Sequence, residues 1–307
     1  MTRGLWTCLA IASTWLATPA QATTIPPDAG GPRAPVPPDD EAGKDSDTLL
    51  QEALSLARSS DPADHARLLA RLKTKRYLTR LDSEDGYRRA SKAGLRLELL
   101  LSALAQNPAA SARKALLSLA RNKTFLADEE RRLALIRASE SVRPAPPRLV
   151  AFWDAHSRPG DMFTPTTVDV LVANGSDPAL RLFARKLADR ARRKDEKIAW
   201  LHTAVLTHRN DLGLLKACER MLRGRLPKPL RPVLVESLFD YRPGEWYRPA
   251  SPHSAPPLRD ASPESLDVLQ ALGERALKTV DLTATQREAV ARKLEEVRRL
   301  RAAKGAP

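Results

Sequence analysis

Apolar residues recur along this chain at i, i+3, i+4 and i+7, and no segment sustains the alternation of a strand. Leu97, Leu100, Leu101 and Leu104 form one such set, and Ala112, Ala115, Leu116 and Leu119 a second. Leu180, Phe183, Ala184 and Leu187 form a third, and Leu214, Ala217, Cys218 and Met221 a fourth. At helical pitch each set is one stripe, which another helix has to cover. The short apolar run from Val168 to Val172 follows a helix-type start at Thr164-Pro165, so it too is read as helix. The expected fold class is all-α.

The helix starts are punctuated. Asn107-Pro108 and Asp177-Pro178 each set a capping side chain before a proline, at the position where the missing N–H costs nothing. Asn210-Asp211 opens a helix without the proline, Ser262-Pro263 opens another, and Thr283 with Gln286 has capping-box form. Asn107 to Asp177 is 70 positions, and Asp177 to Asn210 is 33. Halving the first interval gives a period of about 34 and asks for a start near Val142 to Pro146, where Pro146-Pro147-Arg148-Leu149-Val150 opens a helix. The predicted unit is a helical hairpin of about 33 to 36 residues, repeated about four times between residues 91 and 225. So small a hairpin cannot bury its apolar face alone, and neighbours must stack.

Two of these helices carry a resemblance. Asn107-Pro-Ala-Ala-Ser-Ala-Arg-Lys-Ala-Leu-Leu-Ser-Leu-Ala and Asp177-Pro-Ala-Leu-Arg-Leu-Phe-Ala-Arg-Lys-Leu-Ala resemble the second helix of HEAT or HEAT-like repeats, which opens with Asp or Asn before proline and sets small residues against leucines. The resemblance covers about half the chain and implies a right-handed α–α superhelix of stacked hairpins, used as a scaffold or partner-binding surface. Tetratricopeptide repeats share the period but not the Trp, Gly and Tyr pattern.

The N-terminus reads as a secretory signal: Arg3, an apolar stretch from Leu5 to Leu16, then Thr18-Pro19-Ala20-Gln21-Ala22 with cleavage after Ala22. A retained anchor is the alternative. Cleavage removes Cys8 and leaves Cys218 as the one cysteine, so no intrachain disulfide framework is expected. The Arg, Ala, Leu and Pro usage is that of a GC-rich bacterial genome, which places the mature chain in the periplasm or outside the cell. The expected organisation is a signal peptide at 1–22, a Pro-rich disordered linker at 23–45 and a helical repeat domain at 46–241. A Pro-rich aromatic loop follows at 242–261, and a C-terminal helical pair at 262–307 caps the stack.

Catalytic chemistry has little to work with. His65, His156, His202, His208 and His253 never pair at i+3 or i+4, and there is no Cys/His cluster, nucleophile elbow or phosphate-binding glycine loop. Asp154 and His156 beside Trp153 are the one local meeting of acid, imidazole and aromatic. His202 is expected beside an apolar stripe, and Cys218 within one as an inert thiol. Val235-Glu236-Ser237-Leu238-Phe239-Asp240 resembles the Glu-Ser start of the catalytic domain of soluble lytic transglycosylases, but that family's Gly-Leu-Met-Gln continuation has no counterpart, and Glu236 is read as a solvated helix residue. No catalytic residue, metal or cofactor is expected. A peptidoglycan-processing enzyme, or an accessory to one, is the alternative function.

Charge says more. The chain carries +14, and residues 181–231 hold fifteen Lys/Arg against five Asp/Glu. Arg190, Arg192, Arg193 and Lys194 occupy one inter-helix turn, and Arg223, Arg225, Lys228 and Arg231 a later one. Equivalent turns of a stack share an edge, so these eight are candidates for a basic ridge. Two readings fit: a solubilising surface, or a site for an acidic protein or an anionic lipid or polysaccharide. Nucleic acid ranks last, for want of a basic-aromatic stacking run. Tyr241, Trp246 and Tyr247 are a candidate aromatic contact, or part of a structural cover. The basic last helix is read as the cap of the stack, with a membrane-lying helix as the alternative.

Overall fold

The computed structural model describes residues 44–81, 89–224, 226–239 and 256–305. These residues form fifteen α-helices, and no strand occurs among them. Helix α1 is Ser46–Arg58, α2 Pro62–Leu72, α3 Lys75–Leu81, α4 Arg89–Gln106 and α5 Ala110–Leu119. Next come α6 Lys123–Leu126, α7 Glu129–Ala138, α8 Pro147–Ala155, α9 Thr164–Asn174 and α10 Asp177–Ala188. The chain ends with α11 Lys194–Trp200, α12 Leu212–Arg223, α13 Arg231–Phe239, α14 Pro263–Thr279 and α15 Ala284–Gly305.

The helices stack in two rows. In the first, α1 packs on α4, α4 on α7, α7 on α9, α9 on the π-helical continuation of α11 at Leu201–Val205, and that turn on α13. In the second, α2 packs on α5, α8 on α10, α10 on α12 and α12 on α14. Hairpin partners join the rows: α1 with α2, α4 with α5, α9 with α10 and α13 with α14. Trp153 of α8 donates from Nε1 to Ser139 Oγ just past α7, 2.9 Å away, which ties that pair as well. Helix α15 lies along α14 and reaches α13, closing that end.

The four sequence stripes are the seam between the rows. Every one of their residues is buried except Ala184, which stays half open. The second-row helices α5, α8, α10 and α12 begin at Ala110, Pro147, Asp177 and Leu212, at intervals of 37, 30 and 35 residues. The intermediate start expected near Pro146 is therefore α8, which begins at Pro147.

Two caps differ from expectation. Helix α5 begins at Ala110 rather than beside Asn107, whose Oδ1 accepts from the Ala109 N–H at 2.9 Å. Asp177 is the first residue of α10, not its cap; Ser176 stands before it, and the Asp177 carboxylate is left for cations of the second row. The remaining starts behave as capping chemistry requires. Asp211 accepts from Leu214 N–H at 2.8 Å, and Ser262 from Ser265 N–H at 3.1 Å. Thr283 and Gln286 exchange bonds of 2.9 and 3.2 Å.

Asparagines lock successive hairpins together. Asn107, just past α4, donates from its side-chain amide to the carbonyls of Ala57 and Ser59 at the end of α1, both at 2.8 Å. Asn174, the last residue of α9, donates to the Glu140 and Val142 carbonyls beyond α7, at 2.6 and 3.1 Å. Both bonds run from the end of one first-row helix to the end of the one before it. The amide thereby supplies donors to helix-end carbonyls that have no intrahelical partner.

The 242–261 segment lies mostly outside the described residues. Its final part is described: a 3₁₀ turn at Leu258–Asp260 buries Leu258 and Ala261, and Arg209 donates to the Pro256 carbonyl from two guanidinium nitrogens at 3.1 and 2.8 Å. The segments expected as signal peptide and linker fall almost wholly outside the described residues; α1 begins at Ser46. No described helix is long and apolar enough to cross a membrane.

Candidate binding surface

The turns that lead from a second-row helix to the next first-row helix take equivalent places in successive hairpins. Two of them, between α10 and α11 and between α12 and α13, carry the predicted basic residues, and they belong to successive hairpins. Arg190, Arg193, Lys194, Arg223 and Lys228 are exposed there. Arg193 lies 3.6 Å from Asp195, and Arg223 pairs with Glu219 one helical turn back.

Arg192 does not belong to this surface. It is buried, 3.0 Å from Glu196, with its guanidinium carbon 4.9 Å from the Trp200 ring centroid. It welds the start of α11 to the turn before it, a cation–π and ion-pair contact rather than a solvent-facing charge. Arg231 is half-buried and donates to the carbonyls of Leu226 and Gly224 at 3.2 and 3.3 Å, which makes it a brace for the turn. Arg225, Tyr241, Trp246 and Tyr247 lie outside the described residues.

A second concentration of cations escaped the sequence reading, because it is distributed over helices rather than gathered in turns. Helices α8, α10 and α12 lie side by side and contain seven Lys/Arg against three Asp/Glu. Asp154 of α8 pairs with Arg185 of α10 at 2.9 Å and also with Lys186. Asp177 of α10 pairs with Arg220 of α12 at 2.8 Å and also with Arg181. Each carboxylate thus faces two cations, and each bridges two helices of the row. The i, i+4 spacing of Arg181 and Arg185 is the one sequence signal that places two of these cations on a common face.

Small residues between these helices leave hollows. One of about 480 Å³ opens between α8 and α10 over Val150, Leu182, Ala184 and Ala188. Another of about 300 Å³ opens between α10 and α12 over Leu180, Ala184, Ala217 and Met221. Arg181 and Ala184 line both, so the two grooves adjoin across α10.

The groups considered for chemistry are placed elsewhere. Asp154 turns to Arg185 and Lys186, whereas His156 sits between the rings of Phe152 and Phe163, at 4.7 and 6.2 Å; burial lowers its pKa. Trp153 is in the core, so the acid and aromatic of α8 and the imidazole just past its end do not converge. His65 is buried with Nδ1 2.7 Å from Ser111 Oγ. His202 lies on the π-helical turn with Nε2 4.0 Å from Glu236 Oε1. Glu236 is therefore not the solvated residue expected: α13 is sandwiched between α11's continuation and α14, and turns it inward. Burial drives the Cys218 thiol up to about 12, which leaves it inert. His253 lies outside the described residues. Among the described residues no three His, Cys, Asp or Glu side chains are grouped to hold a metal ion.

One acid pair stands apart. Desolvation, and then the charge of Glu140, push Asp169 up to about 6; desolvation raises Glu140 as well. Neither groove reaches these two carboxyls.

Comparison of the chain with family models, with characterised proteins and with solved structures gives no match. Among the described residues, fold and surface define a class only: an all-helical, two-row stack with cations gathered on its second row and on two of its inter-row turns.

Proposed function

We propose that this protein is an exported, non-enzymatic scaffold of the HEAT-like kind, a right-handed superhelix that presents a basic surface to an acidic protein or an anionic envelope component. The observation that carries the reading is the exposure of Arg190, Arg193, Lys194, Arg223 and Lys228 on turns of successive hairpins. If equivalent turns of the stack face the same way, their charges add, and such a surface raises the local concentration of an anionic partner. The signal-like sequence at residues 1–22 and the resemblance of the α5 and α10 segments to HEAT repeats support export and repeat class.

The test uses the purified protein and the envelope fraction of the organism that makes it. Binding is expected to fall several-fold between about 50 and 200 mM salt, as screening shortens the reach of surface charge. An Arg190→Glu, Arg193→Glu, Arg223→Glu triple variant is expected to bind at least about tenfold more weakly with an unchanged melting temperature. Binding indifferent to both sinks the reading.

A second reading is a peptidoglycan-cleaving enzyme that uses Asp169 and Glu140 as its carboxyl pair; Asp169 is surface-exposed and lines neither groove, so the rise of its pKa is the one feature that favours it. Release of soluble fragments from purified sacculi, abolished by Asp169→Asn, would establish it. Intact sacculi would remove it.

A further inference from the structure

We propose that the adjoining grooves across α10 are the docking site for an acidic, amphipathic segment of a partner protein, one that inserts apolar side chains over Ala184 and sets carboxylates against Arg181, Arg185 and Arg220. This rests on the basic-surface reading above and gives that surface a site.

The floor comes first. Ala184, Ala188, Ala217 and Gly224 stand where larger side chains would fill the space between packed helices, and the result is two hollows of about 480 and 300 Å³. Volumes of this size fall at the lower end of ligand pockets, roughly 300–1,000 Å³. Ala184 is the one stripe position that the stack leaves half open, and it lines both hollows.

The charge comes second. Asp154 serves Arg185 and Lys186, and Asp177 serves Arg181 and Arg220, so the helices supply two carboxylates for four cations. The side chains of Arg181, Arg185 and Arg220 are 78, 64 and 56 % exposed, and a guanidinium has five N–H donors to share between an existing carboxylate and a new one. Their rim position favours on-rate and orientation, while the recessed apolar floor supplies desolvation.

The same geometry selects the class of partner. The apolar surface is recessed, so the partner must bring protruding apolar groups, which a peptide does and a flat headgroup layer does not. Among the described residues no aromatic ring is exposed for a base to stack on; the exposed large apolar residues are Leu99 and Met162.

The experiment selects twelve-residue peptides from a random displayed library against the purified full-length protein. Chosen peptides are then titrated by fluorescence polarisation, beside poly-glutamate, phosphatidylglycerol vesicles and a DNA oligonucleotide. The expected consensus sets Asp or Glu next to Leu, Ile, Phe or Met. Its Kd is expected to rise at least tenfold in Ala184→Tyr, which sets a phenol ring on the floor that the two hollows share, and in Arg181→Glu/Arg185→Glu, which reverses the rim. The second variant changes only exposed side chains and keeps the test valid if tyrosine disturbs the packing, as thermal melts would reveal. Tight acidic peptides unaffected by both variants overturn the groove. Equal or tighter binding of poly-glutamate, vesicles or DNA, insensitive to Ala184→Tyr, overturns the groove but leaves the basic-surface reading in place. Failure of every anionic probe removes both.

Discussion

Single side chains set the join between hairpins. Asn174 is fully buried, and its amide satisfies two carbonyls while its Oδ1 accepts from the Ser176 N–H at 3.3 Å and from the Ser176 hydroxyl. Asn174→Ala would leave both carbonyls unsatisfied in a dry place, at a cost of about 2–3 kcal/mol. Chemical denaturation is expected to show that loss with an unchanged m-value; a loss under about 0.5 kcal/mol would mean that water replaces the amide. Asp169 acts in the opposite sense. A carboxyl whose folded value is raised to about 6 is better protonated in the fold than in the unfolded chain, so its ionisation opposes folding. That penalty is absent below the ordinary carboxylate value, grows as pH rises toward 6 and is full above it. Asp169→Asn is expected to raise the melting temperature at pH 8 and to change it little at pH 4. Asp169 is an exposed residue, so solvent screens this penalty and the gain at pH 8 should be small.

At the scale of helices, small residues decide how closely the rows approach and where they leave gaps. Gly273 of α14 has no room for more: a Cβ there would lie 2.6 Å from Leu294 Cδ2 and 2.8 Å from Phe239 Cζ. Gly273→Ala would have to push α15 or α13 outward. It is expected to destabilise by about 1–3 kcal/mol, despite alanine's better helix propensity. An unchanged or raised melting temperature would show that the α14–α15 contact can slide. Ala184 and Ala217 play the converse part, because their small side chains leave hollows open. Alanine therefore reads alike in the sequence at core and groove positions, although Ala112 is sealed and Ala184 is not.

The described helices form a one-dimensional stack, so the ends of that stack need closing. Val290, Leu294 and Val297 of α15 are buried against the last hairpin. Each contributes about 1.5–3 kcal/mol of burial at most, so removing residues 284–307 should cost several kcal/mol and expose an apolar face. Such a truncated chain is expected to melt lower and to bind a hydrophobic dye. A melt unchanged from that of the full chain would mean that α14 alone suffices as a cap. The basic residues around α15 follow from this role: Arg298 and Arg301 reach Glu274 and Asp267 of α14, so part of that charge fastens the cap.

Periodicity in the sequence determines the helices, their spacing and the covered stripes, because a 3.6-residue repeat is a local property. Punctuation places the helix starts to within a few residues, as Asn107 and Asp177 show by standing near the caps without being them. The start at Pro147 was legible from spacing alone, and so was the inert burial of Cys218. What local pattern cannot specify is which charges meet across helices distant in the chain. Arg192 reads as one of a run of surface cations, yet Glu196 and Trp200 take it inside. Glu236 reads as solvated on its own helix, yet α11's continuation and α14 enclose it. Arg181, Arg185 and Arg220 read as ordinary helix surface until stacking sets α8, α10 and α12 side by side and makes two carboxylates serve four cations. Only the tertiary structure decides such sums: Asp154 meets Arg185 across 31 residues and Asp177 meets Arg220 across 43, and even Arg192, whose partners stand close by in sequence, is buried by how the turn folds over Trp200.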